Sequence, residues 1–152
     1  MTEISYWLDG VKIWFQPNQS QNIKILIDHV NLVPSTLFEN VDSDMNSEAL
    51  AYWFDACQRL SLYYQDQGDP EKAFSYLQFA YAKLQGMICH PSHSDDIKRW
   101  SLKKIDRMIV VMMEFCQVQQ ENKWQQESIQ LINLHVTFME GQNNLNLVYR
   151  ND

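Results

Sequence analysis

Cys89, His90 and His93 come closest in this chain to a metal-binding spacing, within the segment MICHPSHS at residues 87–94. A thiolate and two imidazoles suit a soft or borderline ion such as zinc. A structural zinc site needs four ligands, and the fourth would have to come from Asp95, Asp96 or a distant residue. The plainer reading, which we favour, is an exposed loop whose proline and histidines turn and cap. Two carboxylate pairs, Asp42 with Asp44 and Asp95 with Asp96, stand where helices are expected to begin, and capping accounts for both. His135 falls on or beside an apolar helix face, the position of a satisfied core histidine rather than a general base. A cysteine nucleophile needs a histidine close in space, and Cys57, Cys89 and Cys116 read as buried or loop residues. The sequence contains no glycine-rich phosphate loop, no His-Glu-x-x-His, no Cys-x-x-Cys and no serine in a nucleophile elbow. It gives an enzyme no foothold and calls for no cofactor.

Bulk properties narrow the remaining classes. A net charge of −7 over 152 residues argues against DNA or an anionic membrane as partner, since either requires a basic footprint. The densest basic group, Lys98, Arg99, Lys103 and Lys104, is flanked by acidic residues and reads as a solvated helix face. No apolar run approaches the ~20 residues of a membrane span, and the start of the chain lacks the charged-then-apolar design of a signal peptide. Three cysteines fit a reduced compartment, so a cytoplasmic location is expected. A hydrophobic content of 45% excludes wholesale disorder, and 4 Gly with 4 Pro leave little room for a β-sandwich. The length suits a single domain.

Two readings stand for residues 3–16, EISYWLDGVKIWFQ. As a β-hairpin turning on Asp9-Gly10, the pairs Leu8 with Val11, Tyr6 with Ile13 and Ile4 with Phe15 share one face. As a helix, Trp7, Val11 and Trp14 make a stripe widened by Leu8 and Phe15, with Gly10 costing about 1 kcal/mol against alanine. The helix is preferred, because a lone hairpin is marginal and no other clear strand partner appears. Ser20 or Asn22 is placed to cap a second helix that repeats Ile23, Leu26, Ile27 and Val30 and stops before Pro34. Residues 33–46 form a polar connector, which a short turn at Leu37 and Phe38 pins to the body. A long helix follows from Asn46 or Ser47 to about Gln67, its inward side carrying Leu50, Trp53, Phe54, Cys57, Leu60 and Tyr64. Ser94 with Asp95 and Asp96 starts another helix, running to about Gln119. Its centre, MIVVMMEF, is apolar nearly all round, as core packing or as a methionine-rich surface that adapts to a partner. The last helix spans about Trp124 to Glu140, and Gly141 with Asn143 and Asn144 is placed to end it. A short tail, residues 141–152, either docks as an extended segment or stays loose.

The stretch Leu60 to Leu84, LSLYYQDQGDPEKAFSYLQFAYAKL, carries the most explicit pattern. Gly68 suits a left-handed helix end, Asp69 a cap, Pro70 the first helical position and Glu71 the positive helix terminus. Gly86 is placed to end the second helix. Ala73 and Ala80, seven apart, share a face that lets another helix approach closely. With large or small residues at Leu60, Ser61, Tyr64, Gly68, Ala73, Leu77 and Ala80, the stretch resembles a tetratricopeptide repeat. It departs from that pattern at Cys57, where the family has an aromatic residue, and at Gln85, where it has proline.

The resemblance implies an all-α fold: a right-handed stack of three helical hairpins, a TPR-like α-α solenoid, with helical pairs at 3–32, 47–86 and 94–140. It further implies a protein–protein interaction module, an adaptor or a chaperone, binding a peptide or helix on a concave face. Aromatic and arginine anchors dominate such surfaces, which nominates Trp53, Arg59, Tyr63, Tyr64 and Lys98 as contacts. Two other classes stay open. One is an acidic immunity or inhibitor protein that neutralises a basic toxin or enzyme, for which the net charge is suited. The other is a small metal-binding helical protein using Cys89, His90 and His93. Exposed apolar faces on terminal repeats would equally support a homodimer.

Overall fold

Residues 3–16, open to a strand or a helix reading, form helix α1 (Glu3–Trp14) in the computed structural model, which describes residues 3–17, 21–39 and 44–143. Ile4, Trp7, Leu8, Val11 and Trp14 are its buried residues. The stripe thus follows the helical period, and the tertiary burial of five large side chains outweighs the weakness of Gly10. Helix α2 (Ile23–Asn31) begins at Asn22, whose side-chain oxygen accepts a hydrogen bond from the Lys24 amide at 2.9 Å. Ser20, the other expected cap, lies outside the described residues. A 3₁₀ turn (Ser35–Phe38) pins the connector as expected. Leu37 is fully buried, and the Phe38 ring stands edge-on to Trp53 with centroids 4.9 Å apart.

Helices α3 (Asp44–Asp66), α4 (Pro70–Cys89), α5 (Asp95–Val118) and α6 (Lys123–Asn143) complete the chain. The described residues contain no strand, and none of their helices is long and apolar enough to cross a membrane. Asp42 of the first carboxylate pair and the tail from Asn144 onward lie outside them. The α3–α4 turn forms as its residues dictate. Gly68 takes φ +74, and Asp69 Oδ1 accepts from the Lys72 amide at 3.2 Å. At the start of α5, the Ser94 hydroxyl accepts from the Ile97 amide at 3.3 Å.

Two glycines correct the sequence reading. Neither Gly86 nor Gly141 ends its helix: α4 continues to Cys89 and α6 to Asn143. Only Gly68 has a positive φ among the glycines. Beyond Gly86, Met87 and Ile88 are each 1% exposed, and burial of these two side chains extends the helix past a residue that propensity alone would make its end.

The chain divides within α4 into two compact units, one ending at Ala80 and the other beginning at Tyr81. In the first, α1, α2 and α3 pack against one another. The first part of α4 joins them through Tyr76, stacked on Tyr64 with centroids 5.8 Å apart, and Phe79, tilted against Trp53 at 5.4 Å. Of the repeat-like positions, Leu60, Ser61, Ala73, Leu77 and Ala80 are all buried. In the second unit α5 packs on α6, with Phe115 edge-on to Trp124 at 5.2 Å across the turn between them. Met108 and Met112 are buried, so this part of the methionine-rich centre serves as core.

An alanine side chain at Gly86 meets nothing within 4 Å, whereas Gly68 holds a backbone angle that alanine resists. Gly86→Ala should therefore raise stability by about 1 kcal/mol and Gly68→Ala lower it by about as much, both read from urea unfolding. A loss on Gly86→Ala would restore that glycine as a helix terminator.

Candidate functional site

A nine-residue helix such as α2 is too short to persist on its own in water. Three tryptophans hold it. The indole N–H of Trp7 donates to the His29 carbonyl at 2.8 Å, that of Trp53 to the Val30 carbonyl at 3.2 Å, and that of Trp14 to the Asn22 carbonyl at 2.8 Å. The first two bonds satisfy carbonyls of the last turn, which have no partner within the helix. Each such bond contributes about 1 kcal/mol net, and leaving a buried indole N–H unpaired would cost more.

Because the inward stripe of α1 uses Trp7, Val11 and Trp14, Tyr6 and Ile13 are turned outward, 76% and 53% exposed. Leu32, just past α2, is 75% exposed. These three side chains and Pro34 wall an open groove of about 880 Å³, floored by Trp7 and His29. The His29 ring stands perpendicular to Trp7 with centroids 6.4 Å apart. It sits close to Gly10, where an added Cβ would come within 2.9 Å of His29 Cε1. That contact gives Gly10 its reason: the helix gives up propensity so that the imidazole can seat against the backbone. A smaller hollow of about 240 Å³ shares Trp7, His29 and Leu32 and extends past Ile25 to Asp28. Glu3 and Asp9 stand on the rim, and among the described residues no lysine or arginine lines either depression. Lys12 is engaged by Glu48 at 3.0 Å.

The residues nominated from the sequence are distributed differently. Trp53 is fully buried, so its ring packs the interior and offers a partner no surface. Arg59 and Tyr63 do come together, lining a hollow of about 160 Å³ with Trp14, Gln21 and Asp66. Arg59 Nη2 there donates to Gln21 Oε1 at 3.5 Å. Tyr64 is stacked on Tyr76, and the Lys72 ammonium lies 5.0 Å from its ring centroid. Lys98, half-buried on α5, belongs to the second unit. Cys89 is exposed at the end of α4, and the His90 and His93 rings lie 4.4 Å apart. Among the described residues no three His, Cys, Asp or Glu side chains converge as a metal site would require.

In the second unit His135 bridges two partners, with Nδ1 2.8 Å from the Tyr81 hydroxyl and Nε2 3.0 Å from Asp106 Oδ1. Burial, aided by the Asp106 charge, pushes the Tyr81 phenol up to about 12, so it stays protonated at neutral pH. The trio satisfies its own hydrogen bonds and fastens α6 to α5 and to the end of α4. Burial also raises the Cys57 and Cys116 thiols, the latter to about 11, which keeps both from acting as thiolates.

In the sequence Trp7 stands out as part of the α1 stripe and Tyr6 with Ile13 as a pair in the hairpin reading, but none of the groove residues stands out as a contact. Tyr6 and Ile13 were legible as a pair seven apart on α1, off the Trp7–Val11–Trp14 stripe, and that apolar excess was the available signal. Neither the family models, nor the curated proteins, nor the solved structures include a match to this chain.

Burial holds the His29 imidazole below its ordinary value of 6.5, with Asp28 acting in the opposite direction. As pH falls through 6.5, the unfolded chain takes up a proton that the folded ring resists, so folded-state stability declines. Between pH of about 7 and about 5 the wild type should lose stability relative to His29→Asn in urea unfolding. Parallel pH profiles would contradict a desolvated ring at the groove floor.

Proposed function

We propose that the chain is a non-enzymatic protein–protein interaction module, adaptor-like or chaperone-like, that takes an apolar segment of a partner protein in the α1–α2 groove. The observation that carries this reading is the convergence of Tyr6, Ile13 and Leu32, three large exposed side chains, around one concave surface. Single exposed apolar residues need no explanation, but a contiguous patch rimmed by polar groups marks an interaction site. The tetratricopeptide-like pattern of α3 and α4 supports the same class of function, because such repeats generally serve as binding scaffolds. The contact surface in this reading is the α1–α2 groove rather than the face nominated around Trp53.

Partner proteins recovered from the native host with the wild-type chain should be lost with Tyr6→Ala or Leu32→Ser, at unchanged helical circular dichroism. With a purified partner, either change should weaken binding about 10-fold, the loss of roughly 1.4 kcal/mol of apolar burial. Retention by these variants, with loss on Arg59→Ala or Tyr63→Ala, would move the site to the hollow on α3.

A further inference from the structure

We propose that the occupant of the groove is a cationic amphipathic helix of the partner protein, with an apolar row flanked by lysine or arginine. This rests on the groove reading above and adds the chemistry of the partner. The walls are apolar, supplied by Tyr6, Ile13 and Leu32, while the charged residues that line the groove among the described residues, Glu3 and Asp9, are both acidic. Glu3 and Asp9 border the groove from α1, and Asp28 borders the adjoining hollow from α2. Among the described residues none of the three carboxylates forms an ion pair, although Asp9 acts on the charge of Lys12 and Asp28 on that of His29. An apolar channel with two carboxylates along its α1 side and a third at the adjoining hollow complements a helix whose apolar row is flanked by cations. Long basic side chains can lay their methylene stems along the walls and reach outward to the rim. One wall is built on α1 and the other on Leu32 and Pro34 just past α2, and with no strand among the described residues an extended peptide finds no strand edge to join. The 12 residues of α1 present about 18 Å of wall, enough for roughly three turns of a partner helix. The same rim repels acidic peptides and anionic lipid.

Two labelled peptides of about 14 residues, roughly 21 Å of helix, test this by fluorescence anisotropy with the full chain. Both carry one leucine row, and their polar positions are lysine in one and glutamate in the other. The lysine peptide should bind about 10-fold or more tighter at low salt. Glu3→Gln combined with Asp9→Asn should weaken it about 5-fold, whereas Glu114→Gln combined with Glu140→Gln, an equal charge change in the second unit, should not. Equal weakening by the two charge pairs would reduce the effect to general attraction and overturn the proposal. Equal binding of both peptides, abolished by Leu32→Ser, would overturn the cationic partner and leave the groove standing. Lysine-peptide binding that survives both Leu32→Ser and Tyr6→Ala would overturn the groove reading itself. Failure of both peptides to bind would overturn the proposal as well.

Discussion

Three indole N–H groups donating to backbone carbonyls of one short segment are the constraint on which the first unit depends. Trp7 and Trp53 take the carbonyls of His29 and Val30 near the end of α2, and Trp14 takes that of Asn22 at its start. The helix is thereby held at both ends by side chains from α1 and α3. Trp7, Trp14 and Trp53 each also bury a large ring, at 6%, 4% and 0% exposure, so burial and polar satisfaction are achieved in the same contacts. Trp53 extends the arrangement further, with its ring edge-on to Phe38 and Phe54 and tilted against Phe79.

The groove follows from that clamp. Fixing α2 against α1 places His29 under Gly10 and Leu32 opposite Tyr6 and Ile13. The floor is therefore set by packed residues, while the walls are side chains that the core leaves in water. Such an arrangement is shaped in advance, which in the proposed reading would reduce the ordering cost of association. In the second unit polar chemistry is consumed internally: His135 is satisfied by Tyr81 and Asp106, and the Ser94 hydroxyl caps α5.

Much of the helical framework was legible because it rests on local rules. The Trp7–Val11–Trp14 stripe, the Asn22 and Ser94 caps and the left-handed Gly68 all follow from spacing and side-chain type. Glycine at residues 86 and 141 misled because buried side chains can carry a helix through a weak position. Trp53 misled for a related reason. An aromatic residue scores as a binding anchor by type, yet its burial depends on α2, the 3₁₀ turn and α4, elements distant in sequence. The groove was illegible because it is a relation between α1 and the end of α2, and periodicity within one helix does not report it. Gly10 carries the clearest trace, since its cost to the helix has no local compensation and is explained only by the ring of His29.

Amide hydrogen exchange across α2 tests the clamp most directly. The wild-type amides of Leu26 to Asn31 should be protected far beyond those of a nine-residue helix in isolation. Trp7→Phe, which keeps a ring but removes the donor to the His29 carbonyl, should lower that protection while leaving α5 and α6 unchanged. Rates in α2 typical of an unfolded chain, or unaltered by Trp7→Phe, would contradict the account.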